Sequence, residues 1–274
     1  MEKFSVLMSL YDKESPDYLS LSLKSIFEQT IIPDQVVLVL DGQINEKLML
    51  VVDSYKEKYH SLEIYPLETN QGLSAALNIG LDKCCNEIVF RMDTDDICVS
   101  NRFELTLQEY DNNPELEIVG SFATMVDESG LVIKNMTVPT SQEDIYRKVW
   151  TCPFIHPTVS FKKSSIVRIG GYNPNSGPRQ DDYELWFRAV EHGIRCKNIN
   201  KPLLYYRFFK DSISKNTLKV GWWRAKVGIK GAARCKCSVI AYFGVCYPLI
   251  RALMPLCVRK WLYNLSDYIN PRTT

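Results

Sequence analysis

Between Ser212 and Ser266 the chain has no Asp and no Glu. The same stretch holds ten of its 33 basic residues: Lys215, Lys219, Arg224, Lys226, Lys230, Arg234, Lys236, Arg251, Arg259 and Lys260. The remainder therefore carries 23 basic against 32 acidic residues, so a net charge of +1 conceals two electrostatic characters suited to different jobs. Long apolar runs are missing too. Ser238 to Ile250 covers about 13 residues, with Pro248 inside it and Pro255 beyond, against the ~20 that span a bilayer. The N-terminal MEKFSVLMSLYDKE has too short an apolar run, and the wrong flanks, for a secretory signal. Cysteine is present, but not in an ordered pattern: the count of nine is odd, and no C-x-x-C pair repeats at zinc spacing. Reduced, mostly buried thiols in a cytoplasmic protein are expected. Internal repeats and low-complexity segments are also absent, and 274 residues suffice for one large or two small domains.

The first half alternates two patterns. Phe4 to Leu10, Gln35 to Leu40, Leu62 to Pro66 and Glu87 to Met92 are apolar runs that predict buried strands. Pro16 to Gln29, Glu46 to Tyr59 and Leu73 to Cys84 carry helical spacing. Such alternation implies an α/β fold with a mostly parallel sheet covered on both faces. Ligands in these sheets bind beyond the carboxyl ends of the strands, where Tyr11-Asp12, Asp41 and Asp93 to Asp96 fall. The second half is less regular. Ile118 to Val126 and Leu131 to Met136 predict a hairpin, His156 to Phe161 a strand, and Asp182 to His192 a helix.

The segment EIVFRMDTDD delivers Asp93, Asp95 and Asp96 from the end of a strand. Carboxylates this close repel and raise one another's pKa. A hard cation, Mg²⁺ or Mn²⁺, resolves the conflict and commonly shares its shell with substrate phosphates. The simpler alternative is an acidic loop in which Asp96 or Ser100 caps the next helix. Asp41-Gly42 reads equally as a plain turn.

Five segments in order, FSVLMSLYDKE, VVLVLDG, NQGLSAALNIGL, RMDTDD and QDDYELWFRA, make the chain resemble the inverting family 2 glycosyltransferases of the GT-A fold. Within that family it is most similar to bacterial enzymes that build O-antigen or exopolysaccharide repeat units, and the resemblance covers roughly residues 4 to 214. It implies a Rossmann-like catalytic domain over 1–214, with a nucleotide-sugar half at 1–100 and an acceptor half at 101–214, followed by a basic helical segment at 215–274. It places Leu10, Tyr11, Asp41, Asn70, Gly72, Asp93 and Asp95 on a UDP-sugar donor. Asp95 would be the chief metal ligand, with Asp93 and Asp96 beside it. Asp182 would be the base that deprotonates the acceptor hydroxyl, with Asp181 positioning the acceptor. The pair also reads as helix N-terminal acids that complement the macrodipole.

His156 and Trp186 would line the acceptor site. Both also read as packed residues, His156 hydrogen-bonded at a strand start and Trp186 in the core. Two departures stand out: Leu77 replaces an Arg common in relatives, and Phe209 replaces a His that ligates the metal. That His ligand is absent here, diphosphate oxygens and water could complete the metal's shell, and Arg207 or Lys210 could neutralise phosphate instead.

The basic segment mixes its charges with Trp222, Trp223 and Trp261. That combination suits the anionic inner face of the cell membrane, with Arg224, Lys226, Lys230 and Arg234 toward lipid; the alternative is a helical cap with a solvated basic face. No nucleic-acid recognition motif accompanies the charge. The expected activity is metal-dependent transfer of a hexose, galactose or glucose, to an undecaprenyl-diphosphate-linked saccharide by a peripheral membrane enzyme. The rival is a non-catalytic sugar-nucleotide-binding or scaffold protein with the same fold. A nucleotidyltransferase would need a Gly-rich basic N-terminal loop, which MSLYDKE is not.

Overall fold

The computed structural model describes residues 2–209, 217–254 and 258. Strands β1 (Phe4–Leu10), β2 (Gln35–Leu40), β3 (Leu62–Pro66) and β4 (Ile88–Arg91) are linked by helices α1 (Pro16–Phe27), α2 (Glu46–Lys58) and α3 (Leu73–Lys83). After them come β5 (Ile97–Cys98), α4 (Arg102–Asn112), the hairpin β6 (Ile118–Val126) and β7 (Val132–Met136), and α5 (Gln142–Arg147). Next are β8 (Ser160–Lys162), α6 (Lys163–Arg168), α7 (Asp181–Glu191) and β9 (Cys196–Arg207). Helices α8 (Leu218–Arg234) and α9 (Val239–Leu253) complete the described fold.

The sheet runs β3-β2-β1-β4-β8-β6-β9-β5, with β7 paired to β6. The four strands at the β3 end are parallel, as the fully buried QVVLVL of β2 requires. Side-chain alternation along β1 feeds two cores. Phe4, Val6, Met8 and Leu10 face α1, α2 and α4, meeting Leu19, Leu23 and Ile26. Leu7, with Val37 and Val39 of β2, faces Ala76, Leu77 and Leu81 of α3 and, further along, Trp186 of α7.

The expected strand His156 to Phe161 is corrected. His156–Thr158 forms a 3₁₀ turn, and only Ser160–Lys162 pairs. Pro157 has no N–H for a ladder, while the Thr158 N–H and hydroxyl both donate to the Ile155 carbonyl at 2.8 and 2.7 Å.

Helices α8 and α9 pack antiparallel, with Gly221 against Leu249 and Gly228 against Val245. They are seated on the body. A Cβ at Gly231 would lie 2.2 Å from the Phe187 ring of α7, a contact only glycine permits. Pro248, expected to interrupt the apolar stretch, lies inside α9. Burial of Ala241, Val245 and Ala252 holds the helix through the lost hydrogen bond. Two of the charges expected at lipid instead meet side chains of α7, Arg234 while remaining 42% exposed. The Arg224 guanidinium lies 3.9 Å from the Tyr183 ring centroid, and Arg234 meets Glu191 at 3.3 Å. The junction near 214 and the residues beyond 258 fall outside the described residues.

Candidate active site

Three strand ends build the rim. Asp41 follows β2, and its buried carboxylate accepts from the Gln71 N–H at 2.6 Å and the Gly72 N–H at 3.0 Å. The Asn70 amide donates to the Asp41 carbonyl at 3.0 Å. Gly42, at φ 88°, leaves room for this loop, since a Cβ there would sit 2.7 Å from the Asn70 nitrogen. Asp41 therefore organises the Asn70-Gln71-Gly72 entry to α3, and each carboxylate oxygen keeps capacity for a further hydrogen bond. Gly72, at φ 86°, has open space where a Cβ would stand. Leu10, expected at the donor, offers no side chain to it: the residue is buried in the core, and its carbonyl accepts from the Asp41 N–H at 2.7 Å. Tyr11 is 44% exposed, and its phenol pKa is raised by partial burial and by Glu14 and Asp95.

Beyond β4, Asp93, Asp95 and Asp96 bring carboxylate oxygens within 4.8 Å of one another. Asp96 does not cap α4, whose N-cap is Asn101. Its Oδ1 accepts from the Arg207 N–H at 2.8 Å, while its Oδ2 is buried without a partner. Burial, then Asp95 and Asp93, push its pKa well above the carboxylate range. Asp95 is raised to about 7 by burial, Asp93 and Glu14. An orphaned buried carboxylate oxygen beside two more carboxylates is a donor set that fits a hard divalent cation. Glu14, which the motif reading passed over, faces this cluster. It accepts from the Thr94 hydroxyl at 2.9 Å, and its own pKa is raised, mainly by burial.

Arg207 is not a free phosphate contact. Its Nε donates to the Asp95 carbonyl at 3.0 Å, its Nη1 to the carbonyls of Asp127 and Glu128, and its guanidinium lies 4.1 Å from the Tyr18 ring centroid. Phe209 meets the same Tyr18 ring at 5.9 Å, and Lys210 lies outside the described residues. Leu77 is buried, so that position turns away from any donor.

The second wall of the site is α7. Asp181 accepts a short hydrogen bond from the Ser74 hydroxyl of α3, and burial raises its pKa. Asp182 accepts from the Tyr183 N–H at 2.7 Å and lies 3.5 Å from the Cys152 thiol. His156 is buried, paired with the Tyr172 hydroxyl at 2.9 Å and held neutral by burial and by Arg91. Trp186, expected at the acceptor, is wholly buried against His156 and Phe154.

Arg91 joins the two walls. It is 2% exposed, pairs through Nη2 with Asp93, and leaves Nε and Nη1 buried without partners. Its charge also acts on His156, Tyr172 and Asp181. An Arg inside an otherwise apolar strand was the signal for it, because a buried charge needs a partner.

A mixed sheet whose four parallel strands carry a divalent-cation donor set at their carboxyl rim, faced by paired acids at a helix start, defines a GT-A glycosyltransferase. The chain belongs to glycosyl transferase family 2, whose model matches residues 5–170. It is 37% identical over 217 residues to the UDP-Gal:alpha-D-GlcNAc-diphosphoundecaprenol beta-1,3-galactosyltransferase of Escherichia coli, covering 78% of this chain and 77% of that one. It is 36% identical to the amylovoran biosynthesis glycosyltransferase AmsE of Erwinia amylovora, covering 95% of this chain and 98% of AmsE. In fold it resembles TarS of S. aureus. The 1–349 piece in complex with UDP aligns at TM-score 0.67 and 16% identity over 97% of this chain and 80% of that one. Against a longer solved TarS chain the TM-score is 0.65, at 17% identity over 91% of this chain and 43% of that one.

Proposed function

We propose that the protein is an inverting, metal-dependent hexosyltransferase of O-antigen or exopolysaccharide assembly. It takes galactose or glucose from a UDP-sugar and adds it to a diphosphoundecaprenol-linked saccharide at the inner face of the cell membrane. The observation that carries this reading is the juxtaposition of the Asp93-Asp95-Asp96 donor set with the Asp181-Asp182 pair, joined through Arg91. The name of the Escherichia coli relative supports the donor and acceptor classes, and that of AmsE supports a role in polysaccharide biosynthesis.

In this reading Tyr11, Asp41 and the Asn70 to Gly72 loop receive the nucleoside. Asp95 and Asp96, with Asp93, would hold Mn²⁺ or Mg²⁺, which when bound neutralises charge developing on the leaving diphosphate. Asp182 takes the proton of the acceptor hydroxyl as it attacks the anomeric carbon from the opposite face. Asp181, tied to Ser74, fixes the start of α7 and thereby the direction of that attack. His156 supports the floor as a neutral, hydrogen-bonded ring.

The test is a panel of nucleotide sugars with Mn²⁺ or Mg²⁺ and a lipid-linked N-acetylglucosamine acceptor, read as nucleoside diphosphate release. UDP release from UDP-galactose or UDP-glucose is the expected result. Nucleotide-sugar binding without release from any member would establish the non-catalytic scaffold instead.

A further inference from the structure

Helix α9 carries apolar residues on two opposite faces. Ala241, Val245 and Ala252 are buried. On the other side Val239, Ile240, Phe243, Tyr247, Ile250 and Leu253 turn outward, with Ile240 71%, Phe243 75% and Leu253 68% exposed. Their spacing draws one stripe along the helix. A continuous outward stripe of large apolar side chains marks an interaction surface. Charge around it has one sign. Residues 217–254 contain no acid, and α8 beside it exposes Lys219, Lys226 and Lys230 together with Leu218, Trp222 and Ile229.

We infer that the outward stripe of α9, flanked by the lysines of α8, is a lipid-docking face that lies in the plane of an anionic membrane surface. Charge complementarity selects this occupant, since an anionic headgroup layer meets lysines and no carboxylate. Length agrees. Among the described residues no helix is long and apolar enough to cross a membrane, whereas an amphipathic helix lying in the interface needs only an apolar face and a basic margin. Position agrees as well. Gly244 of α9 packs on Trp150, two residues before the Cys152 whose thiol meets Asp182. The helix that bears the stripe is thus tied through the Trp150 to Cys152 turn to the acid pair. The inference rests on the lipid-linked acceptor proposed above, and it moves the membrane contact from the basic residues of α8 to the apolar stripe of α9.

The test uses the full chain, sedimented with vesicles of phosphatidylglycerol mixed with phosphatidylcholine and with vesicles of phosphatidylcholine alone. The parent should pellet with the anionic vesicles and be partly released by salt. Ile240→Gln with Phe243→Gln changes two exposed side chains and should weaken partitioning by about tenfold or more. Lys226→Gln with Lys230→Gln should weaken it several-fold. Transfer to a lipid-linked acceptor should fall in parallel, while UDP release with a short water-soluble acceptor stays at the parent level. A parent that stays in the supernatant with both vesicles would overturn the inference, as would an apolar variant that pellets like the parent. An apolar variant that only turns a dimer into a monomer would assign the face to a second copy and overturn it too. Vesicle binding with no UDP release from any nucleotide sugar would leave the docking face standing and sink the catalytic reading.

Discussion

Burying an arginine inside a sheet costs several kcal/mol unless its charge is matched. Arg91 meets that cost with one ion pair to Asp93, while Nε and Nη1 find no partner. Removing either member of the pair leaves the other uncompensated. Arg91→Met should therefore lower thermal stability by about 2–4 kcal/mol, a loss that Asp93→Asn made together with it should partly restore. Denaturant melts of the two single variants and the double variant check this; an additive double variant would show that the pair is not coupled. At the other wall, Asp182→Asn keeps size and polarity but removes the proton acceptor. Transfer should fall by at least ~10²-fold with nucleotide-sugar affinity near the parent's. If Asp181→Asn is the crippled variant and Asp182→Asn is nearly normal, Asp181, the acid whose pKa burial raises, is the base.

Among elements, α7 bears the most. Its N-terminus presents Asp181 and Asp182, its core face buries Tyr183, Leu185, Trp186 and Phe187, and its outer side receives α8 through Gly231. The Ser74 to Asp181 bond fastens it to α3, and the Asn78 amide fastens α3 to Tyr172 at 2.7 and 2.8 Å. Gly231→Val would drive a side chain into the Phe187 ring and lift α8. The expected cost is about 1–3 kcal/mol of overpacking, with a larger loss of transfer to a lipid-linked acceptor than of UDP release in water. Equal losses in both assays would mean that α8 serves α7 as a brace and nothing more.

At the scale of the whole molecule the acidic cluster sets a pH dependence. Asp95 sits near 7 in the folded chain, and Asp96, Glu14 and Asp181 are raised in the same direction. The folded state therefore holds protons that the unfolded chain releases near pH 4. That stabilisation is complete below the unfolded value and is lost as pH rises through about 7. In chelator, Tm should fall between pH 5 and pH 8 by about 5 °C. Mn²⁺ or Mg²⁺ should restore it most at pH 8, where the carboxylates are ionised, and least at pH 5, where protons compete for the same oxygens. A melting temperature in chelator that rises across this window would contradict the raised pKa values.

The β1 to β4 frame and its aspartates were legible in the sequence because each signal is local. Continuous apolar runs specify buried parallel strands, and a carboxylate placed just after a strand lands on the rim whatever the rest of the chain does. The second half was less legible. Strand β9 mixes Asn, Lys and Pro into its pattern, and its pairing with β6 shifts register near Pro202. What Asp96 and Asp181 hold could not be read from neighbours, since their partners Arg207 and Ser74 lie 111 and 107 residues away. The same holds for Trp186 and for the basic segment. The pattern left Trp186 between a core and an acceptor-lining reading and marked the basic segment as amphipathic, but only packing decided that Trp186 lies under the site, that Arg224 and Arg234 meet α7, and that α9 turns its apolar stripe out. Periodicity reports that a helix has faces. Which face meets the body depends on the shape of the surface it lands on, and that surface exists only once the chain has folded.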